Sequence, residues 1–205
     1  AYTDAQLLTL LAHDTDPFNR WEAAQRLGVG RALAFIRDGG PVQLDAAYLE
    51  AMRSVLRHPQ LDAAFKELVL TLPGETFIAE QLETVDPQRV HAVREGMRQQ
   101  LAEALAADWE WAYEAHRENG AYRPDPVSSG RRALAGLALT QLCLAARTSG
   151  DAVWPGKAYQ RFKDASNMTD RFNALAALVV SGHALAAPAL QRFHALFKNE
   201  PLVLD

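Results

Sequence analysis

The chain has 205 residues, of which 49% are hydrophobic and 22% are charged, so it can bury one substantial core or two small ones and is neither disordered nor fibrous. Its net charge of -4 provides no global positive field, which excludes nucleic acid and anionic membranes as expected partners. The chain has a single cysteine, Cys143, shows no basic-plus-apolar leader, and contains no apolar run near about eighteen residues. These features predict a reducing, cytoplasmic location.

The apolar residues point to helices. Isoleucine occurs only at Ile36 and Ile78, and this shortage of β-branched strand formers predicts an all-α fold. Thr3 and Gln6 have the spacing of a capping box at the first helix start. Three Asp-Pro pairs mark further starts, because aspartate caps free backbone N–H groups and proline suits the first helical position. These pairs are Asp16-Pro17, Asp86-Pro87 and Asp125-Pro126.

The same pattern sets approximate helix boundaries. The predicted helices cover residues 4–13, 17–37, 44–57, 62–72, 76–83, 87–118, 126–147, 152–164, 169–181 and 186–198. The apolar repeat of segment 87–118 fits one long helix or two helices with a bend near Gly96. In the second helix, Gly28 and Gly30 mark either a close packing point or an early end.

Connections between these helices are short, which forces neighbouring helices to run antiparallel. This predicts an α-solenoid-like, superhelical array of antiparallel helical hairpins, although no strict sequence repeat is present. The longest connection, 118–129, is too short for a flexible domain linker, so residues 1–205 are expected to form a single helical domain. Residues 200–205 turn apolar again, and we therefore expect the chain to be a fragment of a longer protein.

The chain carries no recognisable catalytic chemistry. A zinc peptidase needs two histidines four residues apart on one helical face, with a glutamate beside the first, and none of the six histidines has this spacing. His13, Asp14 and Asp16 could be drawn as a ligand cluster, but their position between two helices favours a capping role. Nucleophile and phosphate-binding motifs are also missing. Cys143 lies mid-helix among apolar residues and is expected to pack inertly.

Aromatic residues are expected to serve packing. Trp109 and Tyr113 share one helical face and Trp111 points away, so we expect one tryptophan in the core and the other partly exposed at a helix contact. A stacking platform for a ligand is the less favoured interpretation. Trp21 is predicted to be a core anchor of the second helix.

Arginines near helix starts are the stronger sign of function. Arg131 and Arg132 lie in the second turn of the helix that Asp125 begins, and Arg171 lies in the first turn of a later helix. Cations near the positive end of a helix are unfavourable unless an acidic partner or a ligand compensates. A structural pair with Asp125 or Asp170 is one explanation, and a site for an anion such as a carboxylate is the other.

Several stretches of the chain carry a family signature. They are Asp16 to Gln25, which contains Arg-Trp-Glu-Ala-Ala-Gln, Asp86 to Leu105, Arg132 with its following Leu/Ala helix, Ala165 to Asp170, which contains Asn-Met-Thr-Asp, and Leu202 to Asp205. With these stretches the chain resembles, essentially from end to end, the C-terminal helical domain of the bacterial aminopeptidase N family of M1 zinc metallopeptidases.

The resemblance implies that the chain is one part of an enzyme. Family members carry a zinc-binding His-Glu-x-x-His motif and a Gly-x-Met-Glu-Asn motif for the substrate amine, and neither occurs here. Zinc and the catalytic residues are therefore expected in the catalytic domain of a parent hydrolase. This chain is expected to hold no cofactor, no metal ligand and no catalytic residue, and to be inactive alone.

The resemblance also implies a role and partners. By this resemblance, the helical domain is expected to cover the active site of the catalytic domain and to shape the access and binding of short peptides. The substrate-binding residues that it suggests are Arg132, Asn167, Met168 and Arg171, whose arginines would attract the peptide carboxylate. The alternative function is a freestanding α-helical repeat scaffold for protein–protein interaction, which should have polar capping helices and no large exposed apolar patch.

Overall fold

The computed structural model describes residues 2–204, so Ala1 and Asp205, the first and last residues of the predicted domain, lie outside the described residues. Within that range the chain consists of helices and connecting turns, with no strand. The helices are α1 Asp4–His13, α2 Pro17–Asp38, α3 Ala46–Arg57, α4 Ala63–Leu70, α5 Glu75–Ala79, α6 Pro87–Ala104, α7 Ala106–His116, α8 Pro126–Ser149, α9 Val153–Asp164, α10 Met168–Ser181, α11 Ala186–Phe197 and α12 Pro201–Leu204. The sequence pattern does not predict α12.

Polar side chains begin the helices where the sequence predicts them. The Thr3 side chain accepts from the Gln6 backbone N–H and the Gln6 side chain accepts from the Thr3 backbone N–H, which confirms the capping box of α1. The aspartate of each Asp-Pro pair caps α2, α6 or α8, and the proline is the first helical residue. Asp14 accepts from the Asp16 backbone N–H at 2.8 Å, so these two carboxylates organise the turn between α1 and α2.

Glycine ends three of the helices. Gly39, Gly150 and Gly182 follow α2, α8 and α10 with φ of 68°, 74° and 66°, a left-handed conformation that favours glycine. Gly28 does not end α2. A β-carbon at Gly28 would lie 3.0 Å from Pro73 Cδ, so the glycine permits close packing of α2 against the connection between α4 and α5.

Segment 87–118 forms two helices, and the predicted position of its bend is wrong. The chain breaks at Leu105, which has φ -107° and ψ 21° and is fully buried. The indole Nε1 of Trp109 donates to the Leu101 carbonyl at 3.2 Å and bridges the break. Gly96 instead allows close approach of Val42, whose Cγ2 would lie 3.1 Å from an added β-carbon.

Helix α8 occupies the centre of the array. It packs against α4, α6, α7, α9 and α10, and one hydrophobic core runs from Leu11 on α1 to Phe193 on α11. Most other contacts join helices that are one or two positions apart along the chain. This pattern of contacts between near neighbours is typical of a solenoid. The predicted all-α, solenoid-like fold is confirmed.

The aromatic residues follow their helical phase with one exception. Trp109 and Tyr113 are buried, while Trp111 is 36% exposed and contacts the guanidinium of Arg57. Trp21 is only half-buried: it packs against the core from its margin, beside the exposed ring of Phe18, and does not lie inside the core as predicted.

Candidate functional site

The fold brings together the two segments that carry the predicted site residues. Arg132 lies on α8, whereas Asn167, Met168 and Arg171 lie at the start of α10, and these two helices are in extensive contact. Asn173 Nδ2 donates to the Arg132 carbonyl at 3.2 Å. The juxtaposition of α8 and α10 places both segments at one end of the helix pair.

Arg132 is buried, with 3% of its surface exposed. Its Nη2 donates to the Arg123 carbonyl at 2.7 Å and to the Ser129 hydroxyl at 3.2 Å, and its Cζ lies 4.4 Å from the centre of the Tyr122 ring. Among residues 2–204, its Nε has no hydrogen-bond partner and its guanidinium has no carboxylate partner. A buried guanidinium without an anion is unfavourable, so this position attracts negative charge.

Asp125 does not neutralise Arg132. Its carboxylate accepts from the Ser128 backbone N–H at 2.9 Å and caps α8, and this bond is the first cause of the lowered pKa of Asp125. The neighbouring Arg131 pairs with Glu118 and donates to the Ala115 carbonyl at 2.7 Å. Arg131 therefore has a structural carboxylate partner, but it is Glu118 rather than Asp125 or Asp170, whereas Arg132 has none among residues 2–204.

A small polar cavity adjoins Arg132 between α7, α8, α9 and α10. Its volume of about 20 Å³ is enough for one water molecule. It is lined by Tyr113, His116, Arg117, Glu118, Arg132, Ala135, Gly136, Leu139, Arg161, Asp170 and Asn173. The ring of Tyr122 lies over the guanidinium of Arg132, so a ligand that approaches from that side has to displace this ring.

The other three predicted residues do not line this cavity. Asn167 caps α10 by accepting from the Asp170 backbone N–H at 2.9 Å, and its Nδ2 donates to the Asp170 carboxylate at 2.8 Å. Arg171 Nη2 donates to the Ala165 carbonyl at 2.7 Å, and Met168 is 38% exposed. Asp170 pairs with Arg161 at 2.7 Å, so it does not pair with Arg171 as one explanation supposed.

Sequence reasoning missed several residues of the cavity. Arg161, Asp170 and His116 come from three different helices, and no short motif links them. His116 Nδ1 lies 2.7 Å from the Ala112 carbonyl; burial is the main cause of its lowered pKa, and the charge of Arg131 acts in the same direction. The imidazole is therefore neutral at neutral pH.

Residues 2–204 contain no group of three or more His, Cys, Asp or Glu side chains that could hold a metal ion. Across the same residues, none of the helices combines the length and apolar character that crossing a membrane requires.

Comparison with known proteins identifies relatives over the whole chain. Aminopeptidase N of Caulobacter vibrioides is 34% identical over 198 residues, which are 96% of this chain and 22% of that protein. Aminopeptidase N of Escherichia coli is 29% identical over 207 residues, and that of Haemophilus influenzae is 30% identical over 207 residues; each match covers 100% of this chain and 23% of the relative. The chain therefore spans less than a quarter of the length of these relatives.

A solved structure and a family model agree with this result. The crystal structure of Legionella pneumophila aminopeptidase A in complex with aspartic acid superposes with a TM-score of 0.82 at 23% identity, over 100% of this chain and 24% of that one, which shows a shared fold. The model of a domain of unknown function composed of ARM repeats, DUF3458_C, matches residues 4–205. The resemblance to aminopeptidase N is confirmed, and the chain belongs to the DUF3458_C family of ARM-repeat domains.

Proposed function

We propose that this chain is the non-catalytic C-terminal helical domain of a bacterial zinc aminopeptidase N of the M1 family. The similarity to proteins named aminopeptidase N over nearly all of the chain, but under a quarter of their length, carries this proposal. In the proposed parent enzyme the domain covers the active site, and it controls the access and binding of short peptides. The parent is proposed to be cytoplasmic.

An exposed apolar groove supports a place inside a larger protein. Phe18 on α2 and Phe77 on α5 are 62% and 48% exposed, and they border a groove of about 660 Å³. The charges in its wall neutralise each other, because Glu22 pairs with Arg26 at 2.6 Å. Apolar surface of this kind favours contact with the rest of the parent over the alternative of a freestanding scaffold.

The proposed domain binds substrate through positive charge. An aminopeptidase substrate has its reacting amine at the metal and its carboxylate at the far end, so a cation on a covering domain orients it. Arg132 is the best candidate, because its buried guanidinium has no carboxylate partner among residues 2–204. Asn167, Met168 and Arg171 are proposed to contribute from the start of α10.

Zinc is assigned to the proposed catalytic domain. No three-ligand group exists among residues 2–204, and the six histidines of the sequence lack the His-Glu-x-x-His spacing. The residues present therefore do not fit a catalytic zinc ion, and the role proposed here is binding and orientation.

Parallel assays of the parent enzyme and of the 205-residue chain test the proposal. We expect the parent to release N-terminal residues from alanyl peptides in a zinc-dependent way, and the chain alone to show no turnover of alanyl-anilide with added zinc. Turnover by the repurified chain, or a parent without peptidase activity, contradicts the proposal. A stable complex with an unrelated protein, together with an inactive parent, would support the scaffold alternative.

A further inference from the structure

The small cavity between α7, α8, α9 and α10 adjoins a part of Arg132 that its other contacts leave free. The guanidinium is held by the Arg123 carbonyl and the Ser129 hydroxyl, and Tyr122 covers it. Arg132 lines the cavity, whereas these three neighbours do not. The arginine is 3% exposed, and its buried Nε has no hydrogen-bond partner among residues 2–204. A buried donor without an acceptor is costly, so an acceptor is needed on the cavity side of Arg132.

The cavity wall carries one positive charge that no side chain of residues 2–204 balances. The other charged side chains of the wall lie in ion pairs, namely Arg161 with Asp170 at 2.7 Å, Glu118 with Arg131, and Arg117 with Glu114 at 3.3 Å. His116 also lines the cavity, and its pKa is lowered mainly by burial, so its ring is neutral at neutral pH. The unbalanced charge is therefore that of Arg132.

A water molecule in the cavity would satisfy the hydrogen bond but not the charge. It can accept from Nε of Arg132, yet it leaves a buried guanidinium without a counterion, which is unfavourable. An anion would supply both the acceptor and the missing negative charge. The volume of about 20 Å³ admits an ion close to water in size and excludes carboxylates, sulfate and phosphate, which are polyatomic.

We propose that this cavity is a binding site for a chloride ion, which accepts a hydrogen bond from Arg132 Nε. Neutral groups of the wall can add further donors. Tyr113 carries a hydroxyl, and the amide of Asn173 has two N–H groups, of which one donates to the Arg132 carbonyl at 3.2 Å.

This site is separate from the side of Arg132 that Tyr122 covers. A peptide carboxylate that approaches from that side would balance the same guanidinium, so we expect chloride to occupy the cavity when no peptide is bound. The chloride site is a property of the chain alone and does not rest on the function proposed for the parent enzyme.

Crystals of the 205-residue chain soaked in sodium bromide locate the ion directly, because bromide can replace chloride and scatters anomalously. We expect an anomalous peak inside the cavity, within hydrogen-bonding distance of Arg132 Nε. A water molecule at this place without an anomalous signal, or a peak only on the side of Tyr122, overturns the proposal.

Thermal unfolding measures the same binding in solution. At constant ionic strength, replacing sodium gluconate with sodium chloride should raise the Tm along a saturating curve, by about 3–5 °C at ten times the Kd. Bromide should act like chloride. Acetate should not, because it is too large for the cavity, and an increase that acetate reproduces contradicts the proposal.

Two variants connect this increase with Arg132. Arg132→Met keeps an unbranched side chain and removes the charge, and Arg131→Met is the matched control on the next residue, whose arginine pairs with Glu118. The saturating increase should persist in Arg131→Met and disappear in Arg132→Met; if Arg132→Met retains it, the proposal is wrong. The bromide measurement needs no variant, so it decides the question even if Arg132→Met does not fold.

Discussion

The ring of Tyr122 covers the guanidinium of Arg132, with 4.4 Å between the ring centre and Cζ. The tyrosine is 49% exposed and lies in the connection between α7 and α8, whereas the arginine is buried on α8. The positive charge proposed to meet the substrate is therefore held beneath a side chain that can be displaced without disturbing a helix.

In the proposed parent enzyme, Arg132→Ala should impair peptides more than substrates without a carboxylate. A charged hydrogen bond to the peptide carboxylate contributes about 1.5–3 kcal/mol, so kcat/KM for a dipeptide should fall about tenfold more than for an alanyl-anilide. Because Arg132 is buried, the variant should also lose stability, and this loss should lower the activity on both substrates to the same extent. Arg131→Ala is the matched control on the next residue, and equal losses on both substrates would remove Arg132 from the site.

Gly130→Ala should destabilise the contact between α4 and α8. An added β-carbon would lie 2.9 Å from both the Cβ and the backbone nitrogen of Ala64, and this backbone cannot rotate away. We expect a loss of about 1–3 kcal/mol in the free energy of unfolding by urea. Gly156→Ala on α9 is the control: its β-carbon meets nothing within 4 Å, so the variant should be neutral or more stable. A similar loss in Gly156→Ala would contradict this explanation, because alanine is the better helix former and nothing lies within 4 Å of its added β-carbon.

The ion pair of Asp45 should contribute to acid sensitivity. Its hydrogen bond from Arg31, 2.7 Å long, is the first cause of the lowered pKa of Asp45. A group with a lowered folded-state pKa stabilises the fold above its unfolded pKa, and this contribution is lost as the pH falls through the folded-state value. Urea titrations between about pH 6 and pH 2 should therefore show a shallower acid decline for Asp45→Asn than for the unmodified chain. Asp4→Asn, which removes the more exposed partner of Arg31, provides the comparison.

Cys143 should be unreactive until the chain unfolds. The thiol is 1% exposed on α8, and burial raises its pKa to about 12, so the thiolate that reacts with iodoacetamide is scarce. Mass spectrometry should find no alkylation in the native chain at neutral pH and complete alkylation in denaturant. Rapid native labelling would mean that α8 opens frequently.

The exposed apolar groove between α2 and α5 should cause copies of the isolated chain to associate with one another. Sedimentation at high concentration should detect self-association, and a hydrophobic dye should bind. Replacing Phe18 and Phe77 with serine should weaken both effects. Serine at Trp21, which is half-buried and packs against the core, would test packing instead and is not an equivalent control. A monomer that binds no dye would contradict the proposal that this surface is covered in the parent.

Local chemistry explains which parts of the fold the sequence predicts. The Asp-Pro starts and the glycine ends are correct because a cap depends on a few adjacent residues. The break at Leu105 is not marked by glycine or proline; it accompanies the burial of Leu105 and the hydrogen bond from Trp109 to Leu101, which depend on tertiary packing. Gly96 misleads because it serves contact with another segment rather than a bend.

The candidate site was only partly predictable for the same reason. Helix position suggests that Arg132 needs an anion, but not that Tyr122 covers it or that Asp170 shares its cavity. Those relationships depend on how α8 meets α10 and on the course of the connection before α8.

The central position of α8 has a consequence for how the chain opens. A linear array of repeats can fray from either end, with each repeat opening separately. Here α8 contacts helices on both sides of it along the chain, including α4, so the N-terminal and C-terminal halves cannot separate without its loss. Amides of α4, α7, α8 and α10 should therefore exchange hydrogen only through one shared opening, whereas α11 and α12, at the margin, should exchange earlier and independently.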